Sequence, residues 1–228
     1  MAAPTLSGIR RCGLQAAVAA AAVAFLGGCS VGIPDPAVPA TAPASRQIAT
    51  PTISPGHDAA AVAARNMPFS AGTTLARGVP VGLSEGLADA PGWKQSGSNA
   101  GGTNVYLKSD GCQAAAKVRV NQWPLVKGDD RESTAALFAY LDPTILPKYL
   151  KPAALRWGGE PGKPGPVADV LVLERAARPA GRAAVVLARV FGTAGSSVYV
   201  SVSCPSAPAL AAARADVERW LTVVPPSD

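Results

Sequence analysis

The sequence predicts an α+β domain over residues 71–228, an antiparallel sheet with helices packed on it in the order β-β-α-β-β-β-α. Two observations carry this. Five runs between residues 104 and 204 are alternating or continuously apolar at strand length and are bounded by turn residues. Two further segments carry apolar residues at helical spacing, each opened by a side chain suited to capping.

Taken in order, Asn104 to Lys108 reads as a short strand closed by a turn at Asp110-Gly111. Cys112 to Trp123 follows as a second strand. Cys112, Ala114, Ala116, Val118 and Val120 share one face, and Gln113, Lys117, Arg119 and Asn121 the other. Asp129 is placed to cap a helix, with Glu132 three residues on as the reciprocal partner. Its apolar stripe is Leu137, Phe138 and Leu141, and Asp142-Pro143 ends it. A Gly/Pro-rich loop, Gly158 to Pro166, leads to the runs Val167–Glu174, Arg182–Phe191 and Ser196–Cys204. Pro179, Gly181, Gly192 and Gly195 punctuate them, so they read as an antiparallel meander. Ser206 caps a last helix with Pro208 in its first turn. Leu210, Ala213, Val217, Trp220, Leu221 and Val224 form its stripe before Pro225-Pro226.

The N-terminus has a different character. Arg10-Arg11 precede the apolar stretch Ala16–Leu26, which runs into Gly27-Gly28-Cys29. A basic start, a short apolar core and small residues make an export signal over residues 1–28. Eleven apolar residues are too few for a spanning helix, which needs about 20. Leu26-Gly27-Gly28-Cys29 resembles the bacterial lipobox. That resemblance implies a diacylglyceryl group on Cys29, palmitate-like acyl chains on the mature N-terminus, and attachment to the outer face of the cytoplasmic membrane in the cell envelope. Two such chains suffice for stable anchoring. The general secretory route fits better than the twin-arginine route, because Gly13 stands where the latter prefers an apolar residue.

From Cys29 to Ser70 the chain is rich in Pro, Ala, Ser and Thr and reads as a solvated tether, with prolines at 34, 36, 39, 43, 51 and 55. As a coil of about 40 residues it reaches roughly 35 Å. Removing Arg10 and Arg11 with the signal leaves 19 basic against 15 acidic residues, or +4. That is too mild and too dispersed for a nucleic-acid-binding face.

Of four cysteines, Cys12 leaves with the signal and Cys29 takes the lipid. Cys112 and Cys204 remain as an even pair in an oxidising compartment, each on the inward phase of its own strand, and are expected to form a structural disulfide.

Catalytic strings fail on chemistry. Gly82-Leu83-Ser84-Glu85-Gly86 matches a nucleophile elbow, yet no histidine follows it, and the one histidine, His57, lies in the tether. Gly158 to Lys163 lacks the first Gly and the Ser/Thr of a phosphate loop, with Trp157 and Pro164 in those places. Asp129, Asp130 and Glu132 cluster as helix N-terminal charges rather than at the spacing of a calcium loop. Asp110, Asp169 and Glu174 are loose candidates for a carboxylate pair. Trp93, Trp123 and Trp157 sit beside Gly or Pro and read as core and edge packing before a ligand rim. No metal or cofactor is expected.

Lipobox, Ala/Pro-rich tether and α+β domain resemble an exported lipoprotein of high-GC actinobacteria. Ala90-Pro91-Gly92-Trp93-Lys94 before the sheet, the element order and the length are similar to the LpqN/LpqT-type mycobacterial lipoproteins, across roughly residues 75–224. That resemblance implies a PsbP-like α/β/α sandwich and a binding or accessory role without established catalytic residues. The expected function is thus a non-enzymatic envelope lipoprotein that binds a lipid or glycolipid, or a protein partner, at the cell surface. The rival is an envelope hydrolase with an unrecognised carboxylate or serine site. An apolar cavity between sheet and helix favours a lipid, and a polar cleft with two close acids favours the hydrolase.

Overall fold

A computed structural model describes residues 58–98, 102–175 and 181–227. The signal segment, Cys12, Cys29, His57 and most of the expected tether lie outside the described residues.

Nine strands and three α-helices are found among the described residues. In chain order they are α1 (Ala59–Ala63), β1 (Gly82–Leu83), β2 (Trp93–Ser98), β3 (Thr103–Lys108), β4 (Gln113–Arg119), α2 (Asp130–Leu141), β5 (Lys151–Trp157), β6 (Val167–Arg175), β7 (Ala183–Phe191), β8 (Ser196–Cys204), α3 (Ala207–Trp220) and β9 (Thr222–Val224). The strands make one sheet in the order β1-β9-β5-β6-β7-β8-β4-β3-β2. All pairs are antiparallel except β5 with β9, so the sheet is mixed. It is curled enough to bring β1 against β4. The class is α+β, but the order β-β-α-β-β-β-α is replaced by a richer one.

Alternation along the central strands sorts side chains between two apolar clusters. Val170 and Val172 of β6 with Val185 and Leu187 of β7 face α3, whose Ala213 and Val217 complete that side. Leu171 and Leu173 with Ala188 and Val190 face α2, which contributes Leu137 and Phe138. Both helices start as expected: Asp129 Oδ1 accepts the Glu132 N–H at 2.7 Å, and Ser206 Oγ accepts the Ala209 N–H at 3.3 Å. The meander β6-β7-β8 is also as expected.

Four differences are physical. The second expected strand stops at Arg119, because Asn121 adopts a left-handed φ of 58° and Trp123–Leu125 turns. Val120 is consequently exposed rather than inward. Leu141 is exposed at the end of α2. Leu221 ends α3, and the chain re-extends as β9, pairing with both β1 and β5. β2 and β5 were not expected: β2 is a polar edge strand, and β5 contains Pro152. That proline is tolerated because β9 reaches only Arg156 and Trp157, leaving β5 without an outer strand beside Pro152.

The largest departure concerns residues 58–70, which do not behave as tether. Met67 is buried and bridges in parallel to Ala168, with its N–H on the Val167 carbonyl and its carbonyl accepting the Asp169 N–H. The Trp157 indole donates to the Val62 carbonyl at 2.9 Å. All the described strands, helices and both clusters fall within the unit Thr50–Asp228, so a chain of residues 50–228 carries a core of its own and can fold alone. Deleting residues up to 70 therefore destabilises this domain while deleting up to 57 does not. Met67→Ala costs about 2–5 kcal/mol. Urea unfolding of the two truncations and of Met67→Ala checks this, and equal midpoints would return the segment to the tether.

Candidate functional site

Cys112 and Cys204 form a disulfide. It joins the neighbouring strands β4 and β8 at the end where Gln113 pairs with Ser203. A sequence separation of 92 gives about 4–5 kcal/mol of stabilisation in the chain-entropy account. Both residues are fully buried, and their role is structural.

The acids proposed for catalysis are dispersed. Asp110 Oδ1 accepts the Cys112 N–H at 3.0 Å in the β3–β4 turn. Asp169 Oδ2 accepts the Phe69 N–H at 3.2 Å. Glu174 lies five residues further along β6, on the opposite face and about 16 Å away by strand rise, well beyond the separation of a glycosidase pair. Ser84 Oγ accepts the N–H groups of Thr222 at 3.0 Å and Gly86 at 3.5 Å, tying β1 to β9. A Cβ on Gly86 would overlap Pro161 and the Trp220 carbonyl, so close packing explains the second glycine of that string.

The remaining motifs also resolve into structure. In the Gly158–Pro164 loop, carbonyls rather than N–H groups meet side chains: Arg156 donates to Lys163 and Gly165, and Arg219 to Gly162. Asp129 caps α2, and Glu132 accepts the Gly128 N–H at 3.2 Å. Asp130 pairs with Arg189. Among the described residues no three His, Cys, Asp or Glu side chains gather as a metal site. Trp157 stacks on Phe191 with centroids 5.8 Å apart, and the Trp93 indole donates to Asp216 at 2.9 Å, so both are core. Trp123 is partly exposed and covers Gly195 (φ 62°), where a Cβ would strike its ring.

What the fold does create is an apolar cleft of about 590 Å³ on the α2 face. Ala135, Ala136 and Ala139 share one flank of α2 by their three- and four-residue spacing, and their small side chains leave a trough. The chain returning from α2 supplies Pro147 and Leu150 as the far wall, and Leu171 of β6 is buried at the floor. Asp129, Arg131 and Glu132 form the charged mouth. A space of this size and lining falls in the range of small-ligand sites, about 300–1,000 Å³. A second hollow of about 400 Å³ lies on the α3 face. There Glu174 bridges Lys151 at 2.8 Å and Arg214 at 2.6 Å, over a floor of Val185 and Leu210.

The cleft depends on where α2 starts, and that is set by Arg189. Its guanidinium is fully buried and contacts Asp130 Oδ2 at 2.7 Å. It also donates to the carbonyls of Met67, Pro68 at 3.0 Å and Asp169 at 3.2 Å, and lies 4.5 Å from the Phe191 ring centre. Asp130 Oδ1 accepts the Gly192 N–H at 2.8 Å. Burial pushes the Arg189 pKa down, while Asp130 pulls it up. Neither this pair nor the alanine trough was anticipated. The available signals were a charge on the inward phase of an apolar strand and three alanines on one helix flank.

Comparison with protein-family models, with curated proteins and with solved structures found no match.

Two outcomes follow from these charges. Arg189→Met strands a buried carboxylate and costs about 3–5 kcal/mol in urea unfolding. Adding Asp130→Asn recovers part of the loss, since the buried charge goes and an acceptor for Gly192 remains. No recovery would mean that the arginine acts through its carbonyl contacts alone. The hydrogen bond from Lys151, then the charges of Lys151 and Arg214, hold the Glu174 pKa below its ordinary value against partial desolvation. A lowered folded-state pKa gives stability that is present above the ordinary glutamate range of about 4.3 and is lost as pH falls through the folded value. Glu174→Gln is accordingly less stable than the parent at neutral pH, and the gap closes on acidification. Melting curves from pH 6 to pH 3 read this directly, and a gap constant with pH would exclude it.

Proposed function

We propose that this chain is an exported lipoprotein, anchored through a diacylglyceryl group on Cys29 at the outer face of the cytoplasmic membrane. Its domain binds a lipid or glycolipid without turning it over. The observation that carries the ligand reading is the apolar cleft between α2 and β6. Its walls offer methyl and methylene groups and its mouth offers charge, which suits an acyl chain with a polar head. The dispersal of Asp110, Asp169 and Glu174, and the use of Ser84 Oγ as a backbone acceptor, favour binding over hydrolysis. The helices on the two sheet faces are compatible with the PsbP-like sandwich that the lipoprotein resemblance implies. Among the described residues no helix is long and apolar enough to cross a membrane, and in this proposal attachment falls to Cys29.

A fluorescent long-chain fatty acid, titrated into residues 50–228 purified without detergent, tests the cleft. We expect saturable one-to-one binding, weakened on the order of tenfold or more by Ala136→Trp, which fills the trough from a half-buried position without removing any core side chain. The same variant loses any lipid adduct seen by native mass spectrometry. Binding that is non-saturable, or unchanged in Ala136→Trp, overturns the assignment.

A further inference from the structure

Residues 140–151 collect an unusual surface. Tyr140 is 71% exposed, Leu141 41%, Leu146 44% and Tyr149 50%. These four large apolar side chains fall within ten residues around the end of α2, a stretch we call the tip, whose Pro147 and Leu150 also line the wall of the apolar cleft. Tyr149 also lines the hollow on the opposite face. Lys148 lies 5.3 Å from the Tyr149 ring centre, and among the described residues no ion pair is found for it. The exposed cations Lys151 and Arg175 flank the tip. Two carboxylates face it. Asp142 is held by the N–H and hydroxyl of Thr144 and by Arg175, and Glu174 by Lys151 and Arg214. Lys148, Lys151 and Arg175 against Asp142 and Glu174 leave a net positive rim, with Lys148 as the surplus charge.

We infer that this tip docks on an anionic lipid surface. Tyrosine places an apolar ring and a hydroxyl across the headgroup boundary, leucine enters the acyl region, and lysine stems lie along apolar surface while their ammonium groups meet lipid phosphates. A protein partner would be expected to meet a broad, flat apolar face. Here four separate large apolar side chains lie within ten residues and are interleaved with cations, Lys148 between Leu146 and Tyr149 and Lys151 just beyond. The inference rests on the proposed anchored state for the nearness of a bilayer.

The test uses residues 50–228 with vesicles of phosphatidylcholine, alone or mixed with phosphatidylglycerol. We expect co-sedimentation with the mixed vesicles, weakened by added salt, and reduced on the order of tenfold in Tyr140→Ser/Leu146→Ser. A Tyr140→Trp variant, which needs no loss of apolar surface, should show blue-shifted emission on the same vesicles. Emission unmoved by vesicles, or equal binding by the double variant, overturns the inference. Crosslinking of the tip to a protein together with unmoved emission would overturn it in favour of a protein partner. Ala136→Trp should leave vesicle binding intact and the tip variants should leave fatty-acid binding intact, so failure of docking and failure of the cleft are read separately.

Discussion

Arg189 sits where β6 and β7 part. Their ladder runs from Leu171–Ala188 to Arg175–Ala184, and beyond it Met67 takes the place beside Ala168. Carbonyl groups left by that divergence converge on one guanidinium, which a carboxylate from the first turn of α2 then neutralises. Desolvating a cation is costly, and only this number of acceptors makes it tolerable. Three elements distant in sequence thereby acquire one fixed relation: the segment entering at Met67, the split sheet, and the start of α2. Because Thr134 Oγ1 also receives the Val190 N–H at 2.9 Å, the helix is pinned by two successive turns.

Everything on the α2 face inherits that register. Were α2 to rotate by one residue, either Leu137 and Tyr140 or Thr134 and Phe138 would enter the trough in place of two of its three alanines. On the other face the constraints are of another kind. A covalent bond between β4 and β8 and two ion pairs from α3, Asp216 to Lys108 of β3 and Arg214 to Glu174 of β6, hold that layer. The domain thus uses buried charge to place one helix and covalent chemistry with surface charge to secure the opposite side.

The legible part of the fold was the part written in side-chain period and caps. β3, β6, β7, β8, α2 and α3 carry alternation, helical stripes or Asp129- and Ser206-type starts, and these are local properties. β2 and β5 were illegible because an edge strand needs no apolar face, and Pro152 argues against a strand unless one knows that β9 stops short of it. Met67 and Phe69 were visible as large apolar residues in an otherwise small, polar stretch, but composition averaged over the stretch hid them. For the site, the disulfide followed from parity and strand phase. The cleft did not, because a trough is made by what alanines fail to fill, and no chemical motif marks empty space. Ser84 shows the converse: a string with catalytic spelling whose oxygen serves two backbone donors.

The entry of the chain at Met67 also has a mechanical meaning. A pull on the residues before Asp58, along the axis of the entering segment, loads the Met67–Val167 and Asp169–Met67 hydrogen bonds together with the Arg189–carbonyl contacts. A load on the N-terminal end thus meets the buried polar cluster first, while the disulfide lies elsewhere, between β4 and β8.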